Sequence, residues 1–284
     1  MNRKWTYSVA ALALALALLS TGCQFYTKLQ ARDHLNKGVQ AFRSARYSAA
    51  VDNFKEAIRL DPSFSSARLY LAVAYFQQWV PGTVSPDNDQ YLQSARDWFN
   101  DVLSREPDNA IALEYMAQLN YSETQGIADL DAKIKKLDEA NEWYEKLASH
   151  DPKSKNAYYM MGVITWTKCF STLSVARARA MMRPEDPPPL KDKKAREELR
   201  GKYWDMINVA IQNLNHSLEI DPKYDDAMAY LNLLYRERAD LEGTAEEAKT
   251  DLSQADSWMQ KTLDMRKAKA GMTATDAPAA GGSQ

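Results

Sequence analysis

Residues Ala50–Pro62 read "AVDNFKEAIRLDP". Alanine stands first, phenylalanine four places on, and proline eight beyond that. Residues four apart share one face of a helix. Proline disfavours helical geometry in the residue before it, so the helix is predicted to end at Asp61. A small residue on the shared face admits a close neighbouring helix, and the ring beside it fills the remaining space.

The pattern recurs. Ala95, Phe99 and Pro107 repeat it, as do Ala140, Tyr144 and Pro152, and then Ala210, Leu214 and Pro222. Ala255 and Met259 form a further case without the proline. Another alanine follows each proline by five residues: Ala67, Ala112, Ala157 and Ala227. Coincidence at fixed offsets marks an internal repeat, a unit that buries its apolar face by stacking on its neighbours.

This spacing resembles the tetratricopeptide repeat (TPR). The resemblance implies an all-α fold, a right-handed superhelical solenoid of about five helical hairpins over about residues 27–265. It also implies a small residue in each first helix where the pair crosses. Gly38, Ala72, Ala117 and Gly162 occupy that place, and Asn232 departs from it. The successive alanines at 50, 95, 140, 210 and 255 lie 45, 45, 70 and 45 apart, against 34 in the family. The excess falls between the two helices of a hairpin, which predicts longer helices and slightly longer loops. A spacing near 45 also fits HEAT-type repeats, but the proline and alanine positions argue against them.

The loops carry their own signals. In "VPGTVSP", Ser85 is a predicted N-cap with Pro86 at the first helical position. "TQGIAD" turns the third hairpin, and Thr244 with Glu247 forms a capping box in the fifth. The long spacing belongs to the fourth hairpin, about residues 156–222. Tyr159, Val163, Trp166, Phe170 and Leu173 make one stripe. Leu199, Tyr203, Met206, Ala210 and Leu214 make the facing one. "RPEDPPPL", Arg183–Leu190, reads as a stiff proline turn. The stripes predict a hairpin about twice the usual length, protruding from the solenoid. Arg177–Lys202 holds nine Lys/Arg and five Asp/Glu, a net +4. It is either a solvated surface or a docking site for an acidic partner or anionic lipid, with Lys191, Lys193 and Lys194 as candidate contacts.

The N-terminus reads as an address. Arg3 and Lys4 precede an apolar run, Val9–Leu19, too short to span a bilayer, which needs about 20 apolar residues. "LLSTGCQ" then resembles the lipobox of bacterial lipoproteins, apart from Ser20 where leucine is usual. The resemblance implies cleavage of residues 1–22 and acylation of Cys23. By the same resemblance, Gln24 after the cysteine favours, in a diderm cell, an outer-membrane position facing the periplasm. The alternative is a plain cleaved signal with Cys23 incidental. The whole chain has a net charge of −2; removing Arg3 and Lys4 makes it −2 − 2 = −4. That excludes a global nucleic-acid footprint. After the repeat domain, 23–268, residues 269–284 lack periodicity and read as a disordered tail.

Little in the sequence points to chemistry. His34, His150 and His216 lie far apart, and no metal-ligand spacing, glycine-rich phosphate loop or nucleophile elbow occurs. No cofactor or metal is expected. Cys169 reads as a buried inert thiol or as one that pairs between molecules.

What remains is a surface. In the family, first helices line a concave groove. Stepping four residues from the small position gives Phe42, Phe76, Tyr121, Trp166 and Arg236. One residue past it lie Val39, Val73, Gln118, Val163 and Leu233. The aromatics either form an apolar binding groove or pack between neighbouring repeats. Leu35, Val39, Leu69 and Tyr70 replace the family's polar clamp for peptide carboxylates, which argues against that ligand. The expectation is a non-catalytic, lipid-anchored envelope scaffold that binds a protein or peptide through the groove or the long hairpin. The alternative is an envelope enzyme or solute-binding lipoprotein. That would need a concave polar site with convergent titratable groups, which the sequence does not display.

Overall fold

The computed structural model describes residues 25–275. Among them every regular element is helical. Helix α1 covers residues 25–43, α2 Tyr47–Leu60, α3 Ser65–Phe76, α4 Pro86–Arg105 and α5 Ala110–Glu123. A short 3₁₀ turn, Thr124–Gly126, follows. Helix α6 is Leu130–His150, α7 Lys155–Arg179, α8 Lys193–Ile220, α9 Asp225–Asp240 and α10 Ala245–Thr275. The chain divides into two compact units between Gly126 and Ile127, inside the turn predicted for the third hairpin.

The repeat positions form the core of each unit. In the first, Ala50, Phe54, Ala67, Ala95, Phe99 and Ala112 have no exposed surface. In the second, Ala140, Ala157, Leu214, Ala227 and Ala255 are equally buried. The reason for the small residues is geometric. A methyl group on Gly38 would run into the Phe54 ring, and one on Gly162 would sit 2.6 Å from Leu214 Cγ. Glycine is therefore the residue that lets α1 meet α2, and α7 meet α8, at these crossings.

Two of the repeat aromatics are also covered from the next hairpin. The Phe54 ring stacks on Tyr70 (5.6 Å, 18°), and Phe99 stacks on Tyr115 (5.4 Å, 12°). Both tyrosines lie sixteen residues after their partner, a recurrence that the sequence reading passed over. Met259 has no first helix after it among the described residues and is correspondingly exposed.

The turns between hairpins follow from proline chemistry. Asp61, Glu106, Asp151 and Asp221 precede the prolines and leave the helical region, with φ between −124° and −135°. Each of them still donates its N–H to the carbonyl four residues back. The aspartates then accept a backbone N–H two residues on, for example from Ser63 (3.1 Å) and Lys223 (3.0 Å). The caps match expectation. Ser85 accepts from Asn88 N, and Thr244 and Glu247 bond reciprocally. Asn88 is an unforeseen organiser, buried and bonded to Val80 and Thr83 in the loop before α4.

Two expectations fail. The fourth hairpin does not protrude freely, because its far end folds back onto α9. Two residues past the end of α7, Met181 takes a positive φ of 54°. Met182 then bonds back to the Arg177 carbonyl, the arrangement that closes a helix with a left-handed residue. The loop that follows delivers Leu190, with no exposed surface, and Leu190 N–H bonds the Asp240 carbonyl at 3.0 Å. Arg200 reaches the Leu241 carbonyl at 2.8 Å. The second concerns the start of the predicted tail, because α10 stays helical to Thr275; residues 276–284 of that tail lie outside the described residues. Its alanines and lysines are good helix formers. Arg266 and Lys269 also pair with Asp225, which ties the helix to the start of α9.

The crossing constraint predicts opposite outcomes for two glycines. Gly162→Ala is expected to lower stability by about 1–3 kcal/mol through overpacking. Gly201→Ala, on α8 with nothing within 4 Å of the added methyl, is expected to raise it by up to about 1 kcal/mol. Denaturant unfolding of both variants checks the pair, and a gain in stability at Gly162 would contradict the crossing.

Candidate functional site

The fold-back builds a cleft of about 660 Å³ in the second unit. One wall is the last turns of α7, with Phe170, Ser174 and Arg177. The loop contributes Met182, Glu185, Asp186 and three prolines. Helix α9 supplies Arg236, Glu237 and Asp240, and α10 supplies Leu252. The volume falls in the ordinary range of ligand clefts, about 300–1,000 Å³.

The charges in this cleft are unevenly paired. Arg177 Nη1 binds Asp240 Oδ1 at 2.5 Å, and its other amine donates to the Arg183 and Asp186 carbonyls at 2.9 and 2.7 Å. This guanidinium pins the loop to the end of α9. Burial pushes the Asp240 carboxyl above its usual range, and Arg177 draws it partly back. Arg236 is occupied by Asp256 (2.7 Å) and Asn232 (3.0 Å). Asp186 accepts from the Arg183 backbone and side chain and from Lys191.

Glu237 differs from all of these, because it has no ion pair among the described residues. Burial, reinforced by the nearby Asp240 charge, pushes its carboxyl up to about 8; the Trp166 indole and Arg177 counter only part of that. The indole N–H itself is buried and makes no bond of good geometry.

The residues singled out from the sequence fall in both units. Phe42, Phe76 and Tyr121 belong to the first unit and Trp166 to the second, and all four are half-buried. The Phe76 ring meets Tyr115 edge-on (5.3 Å), and Trp166 meets Tyr230 likewise (5.4 Å). The Phe76 and Trp166 rings are thus each in contact with the following first helix. Lys191, Lys193 and Lys194 are exposed beside the loop. Lys191 lies 3.4 Å from Asp186, and Lys193 lies 3.8 Å from Glu197. Phe170 does not continue the stripe facing α8. It is 47% exposed, lines the cleft and stacks on Trp166 at 5.0 Å. Cys169 has no exposed surface, and burial pushes its thiol up to about 12, so it stays protonated. Cys23 lies outside the described residues. Among those residues, no cluster of His, Cys, Asp or Glu has the arrangement to hold a metal, and no helix is long and apolar enough to cross a membrane.

Glu237 and Asp240 were missed as solvated helix charges. A signal existed: the fifth first helix breaks both repeat rows, placing Asn232 at the small position and Arg236 at the aromatic one. The concave site with convergent titratable groups, not anticipated from the sequence, is present.

Solved structures share the fold. MamA 41-end from Desulfovibrio magneticus RS-1 superposes with a TM-score of 0.51 at 15% identity, covering 84% of this chain and 96% of that one. The MamA RS-1 ArsTM double mutant gives 0.52 at 14% identity, with the same coverage. TTC0263, a thermophilic TPR protein in Thermus thermophilus, gives 0.44 at 16%, covering 85% of this chain and 97% of that one. No family model matches the sequence, and no curated protein does. The fold is of the tetratricopeptide type. The repeat positions and the MamA superpositions agree on this, and at such identities the likeness speaks to fold alone.

The raised Glu237 acidity has a consequence for stability. The folded protein holds this proton up to about pH 8, whereas an unfolded glutamate releases it near about 4.3. Between those values the folded state binds the extra proton, so this group's contribution to stability falls as pH rises. Glu237→Gln removes the effect. The variant is expected to match the wild type near pH 4 and to exceed it above pH 8 by about 1 kcal/mol or more, or about 2–4 °C in Tm. Melts across that range check it, and a constant difference at every pH would contradict the assignment.

Proposed function

We propose that the protein is a lipid-anchored scaffold of the bacterial envelope that holds a protein or peptide partner and performs no catalytic step. The observation that carries the interaction reading is the cleft, which belongs to the one hairpin whose length departs from the repeat. Its walls combine apolar surface with a few polar groups, as ligand clefts do. The engaged rings of Phe76 and Trp166 favour this cleft over the aromatic row. Lys191, Lys193 and Lys194, exposed at the end of the loop and the start of α8, are suited to acidic groups on the partner.

The anchor reading rests on "STGC" and its acylated Cys23. Buried acyl chains contribute about 0.8 kcal/mol per methylene, so two or three chains hold stably. The first described helix begins at Phe25, two residues on, which would keep the domain close to the membrane. A second reading, a solute-binding lipoprotein, is favoured by the volume and titratable lining of the same cleft.

Cys23→Ser is expected to move the protein from the membrane pellet to the soluble fraction. Its retention in the pellet would contradict the anchor. Reversing Lys191, Lys193 and Lys194 to glutamate is expected to reduce crosslinked partner in native envelopes at low salt and to matter less at high salt. Equal crosslinking under both conditions would remove these lysines from the interface.

A further inference from the structure

Building on the interaction reading, we propose that the cleft of the second unit captures an organic cation, an ammonium or guanidinium group on an apolar stem such as a lysine side chain, with Glu237 as its counter-charge. Four acids line the cleft, Glu185, Asp186, Glu237 and Asp240, against two bases, Arg177 and Arg236. Both arginines are already committed, to Asp240 and the loop carbonyls in one case and to Asp256 and Asn232 in the other. Asp186 and Asp240 are matched by those bases and by Arg183, and Glu185 lies 3.3 Å from Arg183. An anionic ligand would meet excess negative charge and no free guanidinium. A cation would supply the charge that Glu237 lacks.

The walls select the stem. Phe170 turns a partly exposed ring into the cleft, stacked on Trp166, and a ring face attracts a cation within about 6 Å. Met182, Pro187, Pro188 and Leu252 offer aliphatic surface. A lysine or arginine stem lies along such surface while its head keeps a polar partner. The volume exceeds one side chain and leaves room for neighbouring peptide.

The surroundings of Glu237 make the binding pH-dependent. Asp240 from α9, and Arg177, the Trp166 indole and the Cys169 thiol from α7, act on it directly; Arg236 from α9, Glu185 and Asp186 from the loop and the uncharged Leu252 from α10 line the same cleft. Glu237 ionises near about 8 in the free protein, and a bound cation favours the ionised form. Affinity therefore rises between about pH 6.5 and 9, while lysine, with a pKa of about 10.4, stays charged.

The test is calorimetric titration of the full chain in detergent with three probes: Ac-Ala-Lys-Ala-NH₂, the same peptide acetylated on the lysine amine, and cadaverine. At pH 9 the charged peptide is expected to bind about tenfold or more tightly than its acetylated form. That preference should shrink several-fold at pH 6.5. Glu237→Gln is expected to remove both the preference and its pH dependence while far-UV helicity is retained. Ser174→Trp, at the cleft edge, is expected to block binding with Glu237 in place. Binding of cadaverine without the peptide would keep the cation site but assign it to a free amine, against a protein partner. Equal binding of charged and acetylated probes, or none by any probe to folded protein, overturns the cation site. Partner crosslinks in the envelope would then still stand for the interaction reading.

Discussion

The closeness of helix crossings is the constraint on which the rest of the structure depends. Where Gly38 faces Phe54 and Gly162 faces Leu214, one methyl group would be too many. That contact sets the rotation and height of each helix against its partner, and so decides which residues of the second helix reach the next hairpin. The Phe54–Tyr70 and Phe99–Tyr115 stacks follow from it, because the ring pressed against the small residue offers its other face outward. The prolines then stop each helix soon enough for the next to return.

The long hairpin keeps this crossing and adds to it. Beyond Gly162, α7 and α8 continue through Cys169, Leu173 and Tyr203, all fully or almost fully buried. Such a length of helix would expose apolar surface if it stood alone. The loop that joins the pair instead lies against α9, held by Leu190 and by the Arg177–Asp240 pair. A buried pair recovers its desolvation cost only with good geometry and extra hydrogen bonds. Arg177 meets that condition by also bonding two loop carbonyls. Drawing the loop inward closes a cleft around Glu237, whose carboxyl keeps no such partner among the described residues. One ion pair thus fastens the insertion and leaves its neighbour available to a ligand.

Much of the fold was legible because its determinants are local or periodic. The alanine–aromatic–proline spacing located the second helices, and Ser85, Thr244 and Glu247 marked helix starts by chemistry confined to four residues. The two long stripes were legible for the same reason, except Phe170, which faces the cleft. The return of the loop was not legible. It depends on Leu190 N–H meeting the Asp240 carbonyl, about fifty residues away, and nothing in "RPEDPPPL" specifies that direction. The helical end of α10 was missed because composition suggested disorder, while ion pairs to Asp225 lie outside any local pattern. Glu237 resembled an ordinary helix charge, since burial from a distant loop leaves no trace in its own segment.

The central claim is that the cleft, rather than another exposed part of the second unit, is the surface that engages a partner. A photo-reactive amino acid placed at Ser174 on the cleft edge, and in a second strain at Val209, an exposed apolar position on α8 that does not line the cleft, tests it in living cells. The account predicts a discrete crosslinked adduct from Ser174 and none from Val209. An adduct from Val209 with none from Ser174 would contradict it.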